Sequence, residues 1–195
     1  MFKIGKRSAL IVVDVQKDFC SGGALAVPEG DKVVPLLNEY IKLFSQAGAA
    51  IYATRDWHPS NHISFRSTGG AWPSHCVQGT DGAEFHPDLK LPKETLIISK
   101  GTDPHSEAYS GFEGTDLETL LKDGGVNRVF VGGLATDYCV KNTVLDALKA
   151  GFEVVLLEGV SRGVNVKPRD SEEAIEQMTK KGARRARMSD FIDNA

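Results

Sequence analysis

Short apolar runs rich in β-branched residues alternate along this chain with segments of helical period, and that alternation restricts the fold more than any other feature. Ser8–Asp14, Ala49–Thr54, Thr95–Ser99, Arg128–Val131 and Glu153–Leu157 read as strands. Asp31–Ala47 repeats Val33, Val34, Leu37, Tyr40, Ile41 and Phe44 at helical spacing, with Gly48 as a stop. Thr115–Asp123 reads as a helix, with Thr115 and Glu118 spaced as a capping box and Gly124-Gly125 closing it. Asp137–Ala150 and Ser171–Lys181 are further helices, and Arg185–Met188 adds a short edge strand. Strands and helices in alternation predict an α/β fold, a parallel sheet with helices on both faces.

With 195 residues the chain is expected to form one domain, 1–195, whose core needs neither disulfides nor a structural metal. Cys20, Cys76 and Cys139 show no CxxC spacing and read as reduced thiols; with no cleavable leader in view, a cytoplasmic protein is expected. A net charge of −3 offers no bulk positive potential to nucleic acid. No apolar stretch approaches the roughly 18 residues of a membrane span, so neither nucleic acid nor membrane is expected as a partner. Arg55–Lys93 resists a regular reading and holds His58, His62, His75 and His86. Irregular segments of that length inside a compact domain are usually functional.

Open parallel sheets bind ligands beyond the carboxyl ends of their strands, so the residues after each strand are the candidates for chemistry. Asp14 follows the first strand, Arg55-Asp56-Trp57-His58 the second and Lys100 the third; Gly132 to Cys139 follow the fourth. Cys139 falls in the first turn of a helix, where unpaired N–H groups favour a thiolate, and a nearby Lys100 would lower the thiol pKa further. Asp14 is then the group to take the thiol proton. Singly, these residues have ordinary alternatives: a small buried hydrophobe, a helix cap, a solvated lysine. Convergence on one rim favours catalysis.

Gly132-Gly133 reads as a tight turn whose amides either form an oxyanion hole or simply join strand to helix. Asp56, His58 and His75 make a two-histidine, one-carboxylate set suited to Zn2+, Fe2+ or Mn2+, with His62 and His86 as spares. The same histidines read equally as solvated loop residues. Phe19 and Trp72 are placed either to sandwich a flat ring or to pack in the core.

The segments DVQKDFCSGGALAV (14–27), RDWHPSNHISF (55–65), WPSHCVQGTDGAEFHPDL (72–89), KGTDPHSEAYSGF (100–112) and GLATDYCVKNTVLDA (133–147) together resemble the nicotinamidase/pyrazinamidase branch of the isochorismatase-like cysteine hydrolases. The resemblance implies a three-layer fold around a mainly parallel six-stranded sheet and a catalytic triad on Asp14, Lys100 and Cys139. It implies metal ligands at Asp56, His58 and His75, with His62 a weaker further ligand, for one divalent ion: zinc first, iron(II) or manganese(II) as alternatives. Phe19 and Trp72 become the ring-stacking pair, Tyr109 a pocket residue, and the backbone N–H groups of Ala135 and Cys139 the oxyanion donors, beside a cis peptide at Leu134–Ala135.

The implied activity is hydrolysis of nicotinamide, and also of pyrazinamide, to the acid and ammonia through a thioester, in NAD salvage; homo-oligomerisation is compatible with it. Competing readings are a metal-hydroxide hydrolase in which Cys139 is incidental, a related hydrolase for an N-carbamoyl substrate, and a silent binding protein on the same fold. Cys20 and Cys76 adjoin site residues without being expected to attack. The cluster Lys180, Lys181, Arg184, Arg185 and Arg187 reads as a solvated face.

Overall fold

A computed structural model describes residues 1–191; the last residues of the expected domain, 192–195, lie outside the described ones. The strands are β1 Ser8–Val13, β2 Ala50–Asp56, β3 Leu96–Lys100, β4 Arg128–Leu134, β5 Glu153–Arg162 and β6 Arg184–Ala186. The helices are α1 Val33–Gln46, α2 Leu117–Asp123, α3 Lys141–Lys149 and α4 Asp170–Lys180. The six strands form one sheet in the order β3-β2-β1-β4-β5-β6. Every pairing within it is parallel, so "mainly parallel" becomes wholly parallel.

Alternation along the central strands separates two cores. Leu10, Val12, Phe130 and Val155 face α1, which contributes Val33, Leu37, Tyr40, Ile41 and Phe44. Ala9, Ile11, Val13, Val129 and Val131 face the other side, where Leu117 and Leu121 of α2, Val144 and Ala147 of α3 and Met178 of α4 cover them. β1 is buried along its whole length, as a strand covered on both faces must be.

The chain runs outward from β1 through β2 to β3, then returns to the other flank of β1 as β4. The order reverses between β1 and β4, and a crevice opens at such a switch point. β4 runs on through Gly132 and Gly133, which therefore lie inside the strand rather than in a turn after it. Gly133 has φ of +130°, and a Cβ there would collide with the Val13 backbone; the glycine lets β4 approach the end of β1.

The capping box is not formed. The Thr115 hydroxyl donates to the Gly111 carbonyl (2.6 Å) and accepts the Leu117 N–H (3.3 Å), while Glu118 pairs with Lys122 one turn on. Residues 57–93 hold single helical turns and isolated β-bridges, His58 with Val77 and Phe65 with Trp72, but no longer element. Their path is fixed by backbone bonds: Trp57 N–H to Lys100 O at the end of β3 (3.0 Å), His58 N–H to Cys76 O within the segment (3.0 Å) and Ile63 N–H to Pro104 O just past β3 (2.8 Å).

Candidate active site

The carboxyl ends of β1 to β4 deliver the chemistry. Asp14 is the first residue past β1, and Asp56 and Lys100 end β2 and β3 side by side in register. Asp14 has φ of +48°, a left-handed conformation that aspartate tolerates better than most residues. Beyond β4 the Leu134–Ala135 peptide is cis. A wide turn over Thr136–Val140 follows, with Val140 N–H reaching back to Ala135 O at 3.1 Å. Turns of this i→i+5 type concentrate at functional sites, and this one carries Cys139.

Lys100 organises the cluster. Its ammonium has three protons, directed at Asp56 Oδ1 (2.5 Å), the Ala108 carbonyl (3.2 Å) and Cys139 Sγ (3.4 Å). Asp14 Oδ2 lies 2.9 Å from the same Nζ as an ion pair, outside the geometry of a regular hydrogen bond, which leaves it able to accept a proton. Asp14 Oδ1 accepts the Thr54 hydroxyl at 2.6 Å. The thiol of Cys139 and one oxygen each of Asp14 and Asp56 lie within 4.8 Å of one another. A carboxylate oxygen with an uncommitted lone pair thus sits by the thiol, stabilised by a charge that does not occupy it.

The electrostatics correct one expectation. Burial pushes the Cys139 thiol well above its ordinary range; Lys100 pulls it back, but Asp14 and Asp56 add to the rise. Burial of Cys139, which is only 6% exposed, and two carboxylates competing for one lysine thus favour a neutral thiol over the thiolate expected at a helix start. Burial also raises Asp14 against the pull of Lys100. At Asp56 burial acts upward too, but Lys100 and His58 outweigh it and hold the carboxyl below the usual range. Burial works against the charge on Lys100, yet Asp14, Asp56 and Cys139 keep it protonated, well above its usual pKa. The cluster therefore contains a firm anion, a firm cation and an Asp14–Cys139 pair between which one proton can move.

Asp56, His58 and His75 are buried and their donor atoms lie within 4.8 Å of one another. Their chemistry fits a divalent ion. His58 Nδ1 lies 2.9 Å from Gly101 O and His75 Nδ1 lies 2.7 Å from Pro73 O. A carbonyl only accepts, so each ring proton sits on Nδ1 and each Nε2 keeps a free lone pair. Those Nε2 atoms are 3.5 and 4.0 Å from Asp56 Oδ2, near the roughly 3.3 Å edge of a tetrahedron with 2.0–2.1 Å bonds.

A second cluster, Cys20, Asp31 and His86, fails the same test. His86 Nδ1 accepts the Asp88 N–H (3.2 Å), which leaves the proton on Nε2, facing Asp31 at 3.4 Å. His62 is likewise committed, with Nε2 3.0 Å from Ser106 O and Nδ1 2.7 Å from Ser64 Oγ. The solvated-loop alternative does not hold for His58, His62 and His75, which are all buried.

One cavity joins these groups. Phe19, Trp72, Tyr109, Tyr138, Ala135 and Cys139 line it together with Asp56, His58 and His75. Asp14 and Lys100 do not line it; they lie beneath Cys139, at 0% and 1% exposure. The Trp72 indole N–H donates to the Tyr109 hydroxyl at 3.0 Å, and Tyr138 meets Trp72 edge-on at 5.2 Å between ring centres. Phe19 stands 5.6 Å from the His75 ring. Flat aromatic walls with the polar groups gathered toward Cys139 and the histidines describe a slot for a planar ring that carries a reacting group on one edge.

The isochorismatase domain family matches residues 8–190. This chain belongs to that family. Within it, the chain is 42% identical over 204 residues to the nicotinamidase of Escherichia coli (strain K12), covering 94% of this chain and 96% of the relative. It superposes on a crystal structure of the pyrazinamidase of Pyrococcus horikoshii in complex with zinc with a TM-score of 0.90 at 58% identity, covering 93% and 99% of the two chains. A crystal structure of PnC1 from L. infantum in complex with nicotinate gives 0.91 at 35% identity, covering 98% of each.

Several residues of this isochorismatase-family site were not singled out from the sequence. Thr54 holds Asp14, as described. Gln16 clamps the backbone of Asp56, donating to its carbonyl (2.8 Å) and accepting its N–H (2.8 Å), and also donates to Ala83 O (2.8 Å). Asp137 accepts the N–H groups of Val164 (2.9 Å) and Asn165 (2.7 Å), which fixes the cavity wall at Val164. The signal available for Gln16 was its position two residues past a strand-end aspartate; Thr54 and Asp137 could be found only once their partners were known.

Proposed function

We propose that this isochorismatase-family protein is a nicotinamidase, hydrolysing nicotinamide to nicotinate and ammonia through a thioester on Cys139, and that it accepts pyrazinamide in the same way. The observation that carries the mechanism is the free Oδ2 of Asp14 beside a neutral Cys139 thiol, with Lys100 close to both. Asp14 takes the thiol proton as sulfur attacks the carboxamide carbon. The backbone N–H groups of Ala135 and Cys139 hold the oxyanion, a contribution of about 3–4 kcal/mol per donor in comparable sites. Asp14 returns the proton to the leaving nitrogen, the C–N bond breaks and ammonia departs. Asp14 then removes a proton from a water, whose oxygen attacks the thioester; the C–S bond breaks, Asp14 passes that proton to the departing Cys139 sulfur, and the acid is released. Lys100 keeps its charge throughout and moderates each anionic stage.

Phe19 and Trp72 sandwich the ring, and Tyr109 fixes Trp72. Asp56, His58 and His75 hold one divalent ion, which we take to be zinc. When bound, it supplies a Lewis acid that orients substrate or water at the ring edge. On this reading the chain acts as one domain in the cytoplasm, on a small molecule in NAD salvage, without nucleic acid or membrane. No helix among the described residues is long and apolar enough to cross a membrane. The test is ammonia release from nicotinamide by metal-loaded protein, with pyrazinamide and an N-carbamoyl compound alongside. Release from the two ring amides is expected; release from the N-carbamoyl compound alone would refute the assignment.

A further inference from the structure

Two acidic residues line the cavity: Asp56, which is buried, and Glu107, which is exposed. Glu107 therefore marks the place where the cavity meets solvent. Among the described residues no lysine, arginine or histidine forms an ion pair with it.

Glu107 is also held in place. The carbonyl before it, on Ser106, lies 3.0 Å from His62 Nε2, and the carbonyl after it, on Ala108, accepts from Lys100 at 3.2 Å. Both flanking residues are thus tied to buried site groups. The Tyr109 hydroxyl accepts from Trp72, and burial first, then the neighbouring Glu107 carboxylate, raise that hydroxyl's pKa.

The reaction proposed above, on which this inference rests, changes the charge of the ligand: a neutral carboxamide enters and a carboxylate leaves. Beneath the cavity floor, the charge of Lys100 is taken up by Asp14 and Asp56, so it does not decide between the two ligands. We propose that Glu107 is a product-discriminating residue: its carboxylate at the mouth repels the anionic acid while leaving the neutral amide unaffected. Unit charges several ångström apart near a protein surface change affinity by roughly 3- to 10-fold at low salt, and by less as salt rises.

The test uses the zinc-loaded full chain carrying Cys139→Ala, which cannot form the thioester, with and without Glu107→Gln. Calorimetric titrations with nicotinamide and with nicotinate give the ratio of the two affinities. Glu107→Gln is expected to shift that ratio toward nicotinate by roughly 3- to 10-fold at low ionic strength, with the shift shrinking on addition of salt. Glu107→Asp, which keeps the charge, is expected to hold the ratio within about 2-fold. An unchanged ratio overturns the proposal. So does an equal change in both affinities, since a residue that merely shaped the pocket through Tyr109 and Trp72 would move both ligands together. Binding of neither ligand also overturns it, and ammonia release by the wild-type protein then tells whether the assigned reaction falls with it.

Discussion

At the scale of single residues, Lys100 sets the properties of its neighbours. It is one buried cation facing two carboxylates and a thiol, and removing it leaves like charges buried without a partner. Lys100→Ala is expected to abolish turnover and to destabilise the fold by about 3–5 kcal/mol, measured by denaturant unfolding. A stable, folded Lys100→Ala protein would contradict its role as the shared counter-ion.

Cys139 gives a prediction with a defined sign. Its folded pKa is raised above the unfolded value, so the folded state keeps a proton that the unfolded state loses above about pH 8.5. That contribution to stability is fully present below the unfolded pKa and declines as pH rises toward the folded one. The unfolding free energy of reduced, metal-free wild type should therefore fall more steeply above about pH 8.5 than that of Cys139→Ala. Parallel pH curves for the two proteins would mean that the thiol is not held neutral.

The identities of Asp14, Lys100 and Cys139 were legible as residues at strand ends, because a parallel sheet sends every strand end to the same rim. Their protonation was not. A helix start and a nearby lysine both argue for a thiolate, and burial together with the closeness of Asp14 and Asp56 reverses the sign.

At the scale of elements, the close approach of β4 to β1 builds the crevice. Gly133→Ala would place a methyl group against the Val13 backbone next to Asp14. A cost of about 1–3 kcal/mol in stability is expected, with a larger relative loss of activity than of folding; wild-type stability and turnover would show that the strands are not in close register there. On the opposite face, Leu37→Ala empties a fully buried position of α1 and should cost about 2–5 kcal/mol with little effect on KM.

Strand and helix identities were legible from periodicity, and their ends less so. β4 and β5 both outrun their apolar cores, and the Thr115–Glu118 pattern makes no capping box because the Thr115 hydroxyl is turned to Gly111. The path of residues 57–93 was illegible, since it is fixed by backbone bonds to residues far away in the sequence, such as Lys100 and Pro104. Even so, that segment's histidine content marked it as functional. Chelation of the metal should release its His58 and His75 anchors, and limited proteolysis is expected to cut within 57–93 faster in the metal-free protein.

At the scale of the whole molecule, the sheet acts as a jig. Its switch point lies between β1 and β4, the chemistry lies at the carboxyl ends of β1 to β4, and β5 and β6 complete the core without reaching the cavity floor. The arginines of the basic cluster near the C-terminus are exposed and pair with half-buried carboxylates, Arg184 with Glu153, and Arg185 and Arg187 with Glu158, in contacts of the kind that contribute little.

The central claim is that Cys139 carries the acyl group of nicotinamide. It is tested most directly by mixing metal-loaded enzyme with nicotinamide, quenching in acid within one turnover and measuring the intact mass. A nicotinoyl adduct mapped to Cys139, accompanied by a stoichiometric burst of ammonia and absent from Cys139→Ala, is the predicted result. Full-rate ammonia release by Cys139→Ala would contradict it.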